Sequence, residues 1–156
     1  MEIDFLSIDP GVHKSAVACW SGTYLVFGDD LPNPSIFDLM KSLPAARVLV
    51  ETPVLYPTKR KQHKDVKRLL VVVDRIKAAA PVVSGVSPSG WKGQVPKKIH
   101  GVRIIAALTK EEISNVVSIA NHNTIDAIGL GLWALGRLGR GGCRKGPKIR
   151  HLNAEK

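Results

Sequence analysis

The sequence predicts a single α/β domain on a mixed five-stranded sheet. Three features carry that reading: three short strands at the start, alternating helix and strand after them, and one strongly amphipathic helix between. With 156 residues and 44% hydrophobic composition, the chain has the size of one domain and enough apolar material for its core.

Ile3 to Asp9, Lys14 to Trp20 and Thr23 to Gly28 read as a meander, because Pro10-Gly11 and Ser21-Gly22 supply turns between apolar runs. A helix over Ser35 to Ser42 leads to Arg47–Glu51, a leucine and β-branched run with the look of a buried strand. Between Gln62 and Ala79, the residues Val66, Leu69, Leu70, Val73 and Ile76 recur at helical spacing while Lys, Arg and Asp fill the opposite face. Pro81 to Val86 is the fifth strand. Right-handed crossovers make the last two strands parallel, after three antiparallel ones. Ser87 to Pro96 is a Gly/Pro/Ser loop, and helices cover Lys97 to Leu108, Glu111 to Ala120 and Asn121 to Leu138. The domain therefore spans 1–138, and 139–156, rich in Gly, Arg and Lys, reads as a flexible basic tail.

Twenty-three Lys and Arg against 13 acids give a net charge of +10, which points to a polyanionic partner, nucleic acid first. Cys19 in an apolar segment and Cys143 in the tail support neither a disulfide framework nor a zinc site. The aliphatic run Leu69 to Val73 is far short of the ~20 residues of a membrane span, and the start lacks a basic leader, so a cytosolic protein is expected.

Three acids stand out because they sit in apolar company: Asp9 and Glu51 at strand ends, and Asp126 within a late helix. A buried carboxylate neutralises, pairs with a cation or binds a metal. If the two strands are neighbours, the acids converge, and Gly129, Gly131 and Ala134 let the helix pack close. Such oxygen donors suit Mg²⁺ or Mn²⁺, and two ions about 3.5 to 4 Å apart serve phosphodiester hydrolysis. From spacing alone, three unrelated caps or ion-pair partners explain the acids equally well.

The ordered set Ser7-Ile8-Asp9-Pro10-Gly11, Val48-Leu49-Val50-Glu51 and Asn123-Thr124-Ile125-Asp126-Ala127 resembles the catalytic motifs of RuvC-type Holliday junction resolvases, over residues 3 to 138. The resemblance implies an RNase H-like fold and a homodimeric endodeoxyribonuclease of DNA recombination and repair. It implies two Mg²⁺ (or Mn²⁺) ions per site, with Asp9 bridging them, Glu51 on one, and Asp126 completing the set. It also implies four-way DNA junctions as substrate and no organic cofactor. The compact size fits a phage-type enzyme working in host cytoplasm. Where the family carries an acid or histidine three residues before the helical Asp, this chain has Asn123, preceded by His122. Both positions share a helix face with Asp126, so Asn123 is the expected fourth ligand and His122 the alternative, while Asn121 or Asn123 serves equally as a helix cap.

For DNA binding, Lys59, Arg60, Lys61, Lys64, Lys67 and Arg68 form one basic run, and Trp91, Lys92, Lys97 and Lys98 flank a second loop; both are expected to line one groove. That loop is similar in position to the RuvC segment with functional lysines, which makes Lys98 the expected lysine at the scissile phosphate. Trp91 reads as a base-stacking group or as a core anchor, and Tyr56 as a junction wedge or a packing residue. The amphipathic helix is the dimer element by analogy. Competing readings are another RNase H-like nuclease acting on RNA or flaps, a catalytically silent junction-binding module, and a sugar-kinase-type phosphotransferase, for which one domain is too little.

Overall fold

A computed structural model of the chain describes residues 1–138; the expected tail, 139–156, lies outside the described residues. In order along the chain stand β1 (Phe5–Asp9), β2 (Lys14–Ser21), β3 (Tyr24–Pro32), α1 (Asn33–Ser42) and β4 (Arg47–Glu51). A 3-10 turn (Arg60–Gln62), α2 (His63–Ala79), β5 (Val83–Val86) and the single turn α3 (Pro88–Trp91) follow. The last elements are α4 (Lys97–Ala106), the short α5 (Lys110–Ser114) and α6 (His122–Ala134). The five strands form one sheet in the order β3-β2-β1-β4-β5. β1 pairs antiparallel with β2, and β2 with β3, whereas β4 runs parallel to both β1 and β5, the arrangement the sequence predicts.

The two-residue period of a strand divides the core between the sheet's faces. Leu6 and Ile8 of β1, with Val48 and Val50 of β4, pack against Ile36 and Met40 of α1 and Val72, Val73 and Ile76 of α2. Phe5 and Leu49, with Ala18 and Trp20 of β2, pack on the other side with Ile104 of α4 and Ile128, Leu130 and Leu132 of α6. By the same parity Ser7, Asp9 and Glu51 belong to the α6 side. Cys19 lies buried among aliphatic side chains, and burial pushes its thiol up to about 12, so it acts as a small hydrophobe.

Several boundaries differ from the sequence reading, each for a tertiary reason. β3 runs on to Pro32 because Asp29 and Asp30 continue the ladder opposite Val17 and Ala16. The helix expected to reach Ala120 stops at Ser114, and the β-branched Val116 instead bridges to Gly28 in parallel. The expected loop after β5 contains α3, whose Ser87 side chain accepts a bond from Gly90 N–H. Among the described residues no helix is long and apolar enough to cross a membrane.

An ion pair ties the end of α6 to the opposite sheet edge. Arg137, one turn beyond α6, donates to both Glu112 oxygens, at 2.6 and 2.8 Å, and to the carbonyls of Thr23 and Ala107. Backbone N–H groups of Leu25 and Thr109 complete the cage around Glu112, which is 1% exposed. Burial pushes the Glu112 carboxyl upward, but the guanidinium and the two N–H donors outweigh it and hold the carboxyl at about 2, against an ordinary 4.5. With the folded value below the unfolded one, the stabilisation is whole above the ordinary value and is lost as pH falls from there towards the folded one. Arg137→Met is expected to lower the unfolding free energy at neutral pH by about 3 kcal/mol by stranding a buried carboxylate. It should also abolish the wild type's loss of stability across that acid window, as read by urea unfolding at neutral and acid pH.

Candidate active site

Asp9 is the last residue of β1 and Glu51 the last of β4, each released from its strand by the proline that follows at once or one residue later. The parallel register pairs Ile8 with Val50, which sets the two acids side by side at neighbouring strand ends. Asp126 reaches them from α6, whose first turn is capped by Asn121: its Oδ1 accepts from Asn123 N–H at 2.9 Å.

The seating of α6 explains why Asp126 arrives there. Ser7, fully buried two residues before Asp9 on the same face, donates to the Ala127 carbonyl at 2.7 Å and accepts from Trp20 Nε1 at 2.9 Å. A Cβ on Gly131 would collide with the Trp20 indole, and one on Gly129 with Ile104, so both glycines permit the close approach their sequence positions suggest.

Lys92 stands between the acids, with Nζ 2.9 Å from Asp126 and 3.1 Å from Glu51. Burial by itself would lower its pKa, but the charges of Glu51, Asp126 and Asp9 outweigh that and raise it, so the ammonium persists. Trp91 Nε1 donates to Glu51 at 2.6 Å, and Lys92 Nζ lies 4.9 Å from the Trp91 ring centroid. Asp9 is pushed up to about 8, first by burial and then by the charge of Glu51, with Asp126 adding to it; Lys92 and Lys97 act in the opposite direction.

Other sequence-predicted residues lie at varying distances from this cluster. Lys92, Lys97 and Asp126 line a cavity of about 310 Å³, whereas Lys98, the next residue of α4, is exposed and does not line it. Lys59 and Lys61 line a second, open cavity of about 670 Å³. Lys64, Lys67 and Arg68 are exposed on α2, and Arg60 falls in the 3-10 turn. Tyr56 is 45% exposed with Lys59 Nζ 5.6 Å from its ring centroid. Trp91 is fully buried and hydrogen-bonded to Glu51, which is the anchor of the two readings its sequence allows. His122 is exposed and Asn123 half-buried.

His100 is a residue that sequence reasoning missed. It is 5% exposed, tilts against Trp91 at 5.0 Å between ring centroids, leaves Nε2 without a partner, and lines the smaller cavity. Burial lowers its pKa, with Asp126 opposing. A histidine on the inner face of an apolar helix carries no signal in the sequence that separates it from core.

Among the described residues, no three acidic, histidine or cysteine side chains are gathered into a group that could hold a metal as they stand. The donor chemistry still fits a hard divalent cation: three carboxylates, with Lys92 held between two of them and Asp9 pushed up by its burial and then by the charge of Glu51.

The architecture matches solved structures. T. thermophilus RuvC in complex with a Holliday junction substrate superposes with a TM-score of 0.55 at 16% identity, covering 87% of this chain and 94% of that one. The fold is RuvC-like, and hence RNase H-like. The yeast mitochondrial Holliday junction resolvase Ydc2 superposes with a TM-score of 0.53 at 13% identity, covering 88% of this chain and 82% of that one. The sequence matches no family model and no curated protein.

Ser7→Ala is expected to leave the Trp20 N–H unpaired in the core, to remove the bond from the sheet to the Ala127 carbonyl, and to destabilise the domain by about 2 kcal/mol in urea unfolding. An unchanged midpoint would mean that the Ser7 bridge does not hold α6 to the sheet.

Proposed function

We propose that the chain is a metal-dependent endonuclease that cuts branched DNA, with the four-way junction as its preferred substrate. The observation that carries this reading is that Asp9 and Glu51 end two adjacent parallel strands and Lys92 joins Glu51 to Asp126 of α6, beside a lysine-lined cavity in a RuvC-like fold. The net charge of +10 supports a nucleic-acid partner, and the two solved structures compared above are of junction-related proteins.

In this reading Asp9, Glu51 and Asp126 hold Mg²⁺ or Mn²⁺, with the Asn123 side chain as a further oxygen donor. Two such ions would supply a nucleophilic water and neutralise the leaving oxygen in phosphodiester hydrolysis. The chain's own residues position the substrate. Trp91 fixes the Glu51 carboxylate by its 2.6 Å bond, and Ser7 fixes Asp126 relative to Asp9 through the helix backbone. Lys92, held between Glu51 and Asp126, would turn its ammonium to the scissile phosphate, with Lys97 at the cavity rim. Lys98, Lys59, Lys61, Lys64, Lys67 and Arg68 contact flanking phosphates and set the register without reading sequence. A C₂ homodimer would present two such sites to the two symmetric strands of a junction, with α2 and its 59% exposed Val71 as the contact.

Incubation of a labelled four-way junction in Mg²⁺ or Mn²⁺ is expected to give paired, symmetric nicks, while linear duplex stays intact. Asp9→Asn should reduce the rate by about 10³-fold or more, that is about 4 kcal/mol in the barrier, without weakening junction binding. Tight binding without cleavage in either metal would reject the nuclease and leave a junction-binding module, and cutting of flaps or RNA/DNA hybrids in preference would reassign the substrate.

A further inference from the structure

We infer that the outward face of α4 is a contact surface for unstacked nucleobases at the branch point, placed beside the cavity of the proposed active site; the inference rests on the junction reading above. The inner face of α4 is given to packing: His100 and Ile104 are buried, 5% and 0% exposed. On the opposite face Ile99, Val102 and Ile105 recur every third residue and stand 54%, 68% and 38% exposed, forming an aliphatic stripe along the helix that nothing within the described chain covers. Exposed aliphatic side chains in a continuous row mark a contact surface.

The charge around the stripe selects the occupant. By helical periodicity Lys98 flanks it on one side and Arg103 on the other, and no acid occurs anywhere between Asp74 and Glu111. An apolar strip flanked on its own helix by Lys98 and Arg103, with no acid on that helix, complements a polyanion that also offers flat apolar faces. Paired duplex hides those faces in its stack, whereas a branch point offers them. The stripe also begins where the catalytic cavity ends: Lys97, in the first turn of the same helix, lines that cavity with Lys92 and Asp126. A strand with its phosphate in the cavity therefore passes its neighbouring nucleotides along α4.

The test compares full-length wild type with Ile99→Ser, Val102→Ser and Lys98→Gln, by fluorescence anisotropy on a labelled four-way junction and a paired duplex of equal length, in EDTA so that no cutting occurs. Each serine variant should bind the junction about fivefold more weakly. Duplex affinity and the slope of log K against log salt should stay unchanged, because an aliphatic contact releases no counterions. Lys98→Gln should instead reduce that slope by about 0.9 on both DNAs. Val102→Met should restore junction affinity, and thermal unfolding should show all variants folded. Serine variants that match wild type on the junction would overturn the inference while leaving the junction reading intact. A wild-type dimer in light scattering that dissociates on Val102→Ser would overturn it too, making the stripe an interface between copies. A wild type with no preference for the junction over duplex would instead strike at the junction reading, and the inference would fall with it.

Discussion

The close seating of α6 on the sheet is the constraint on which the rest of this structure depends. A helix approaches a strand layer closely only where side chains are missing from the contact, and here Gly131 lies against the Trp20 indole and Gly129 against Ile104. The gap is then closed by a buried polar link: Trp20 to Ser7, and Ser7 to the Ala127 carbonyl. That link fixes α6 in rotation and height, and Asp126 immediately precedes Ala127. An apolar contact alone would leave the helix freer to slide, because burial is nearly indifferent to small shifts whereas a hydrogen bond is directional.

Once α6 is held there, electrostatics shapes the site. Asp9 lies in the driest part of the cleft, and its burial first, then the charge of Glu51 with Asp126 adding to it, pushes its carboxyl up to about 8. The protein answers with Lys92, delivered by the single turn α3, whose Ser87 cap and buried Trp91 give the short segment a rigidity that four residues of helix could not supply. Trp91 also serves the site, since its indole N–H holds Glu51 from the side opposite the solvent. At the far end of α6, Arg137 and Glu112 perform a related task, closing the helix against β3 and α5 with a caged ion pair. The two clusters differ in charge: Glu112 meets the Arg137 guanidinium with both oxygens, whereas Glu51 and Asp126 share the ammonium of Lys92.

How much of this was readable beforehand depended on whether the signal was local. The meander, the buried β4 run and the amphipathic α2 follow from hydrophobic period and turn residues, and they appear where expected within a few residues. Asp9, Glu51 and Asp126 were conspicuous because charge in apolar surroundings needs a reason. The extension of β3 through Asp29 and Asp30 and the early end of α5 were not readable, since each is decided by a partner distant in sequence, β2 in one case and Gly28 in the other. His100 was hidden for the same cause: its place beside Asp126 exists only after α4 docks on α6.

By itself, then, the sequence determined the order of elements, the parity that sends Asp9 and Glu51 to one face of the sheet, and the glycines that let a helix come near. Those are properties of period, turn chemistry and side-chain size, which act over a few neighbouring residues. Only the tertiary structure decided that Lys92 rather than Lys98 stands among the acids, and that Trp91 is an anchor inside the core. Those outcomes depend on distances between residues tens of positions apart, and such distances are set by how helices dock on a sheet rather than by any local preference of the chain.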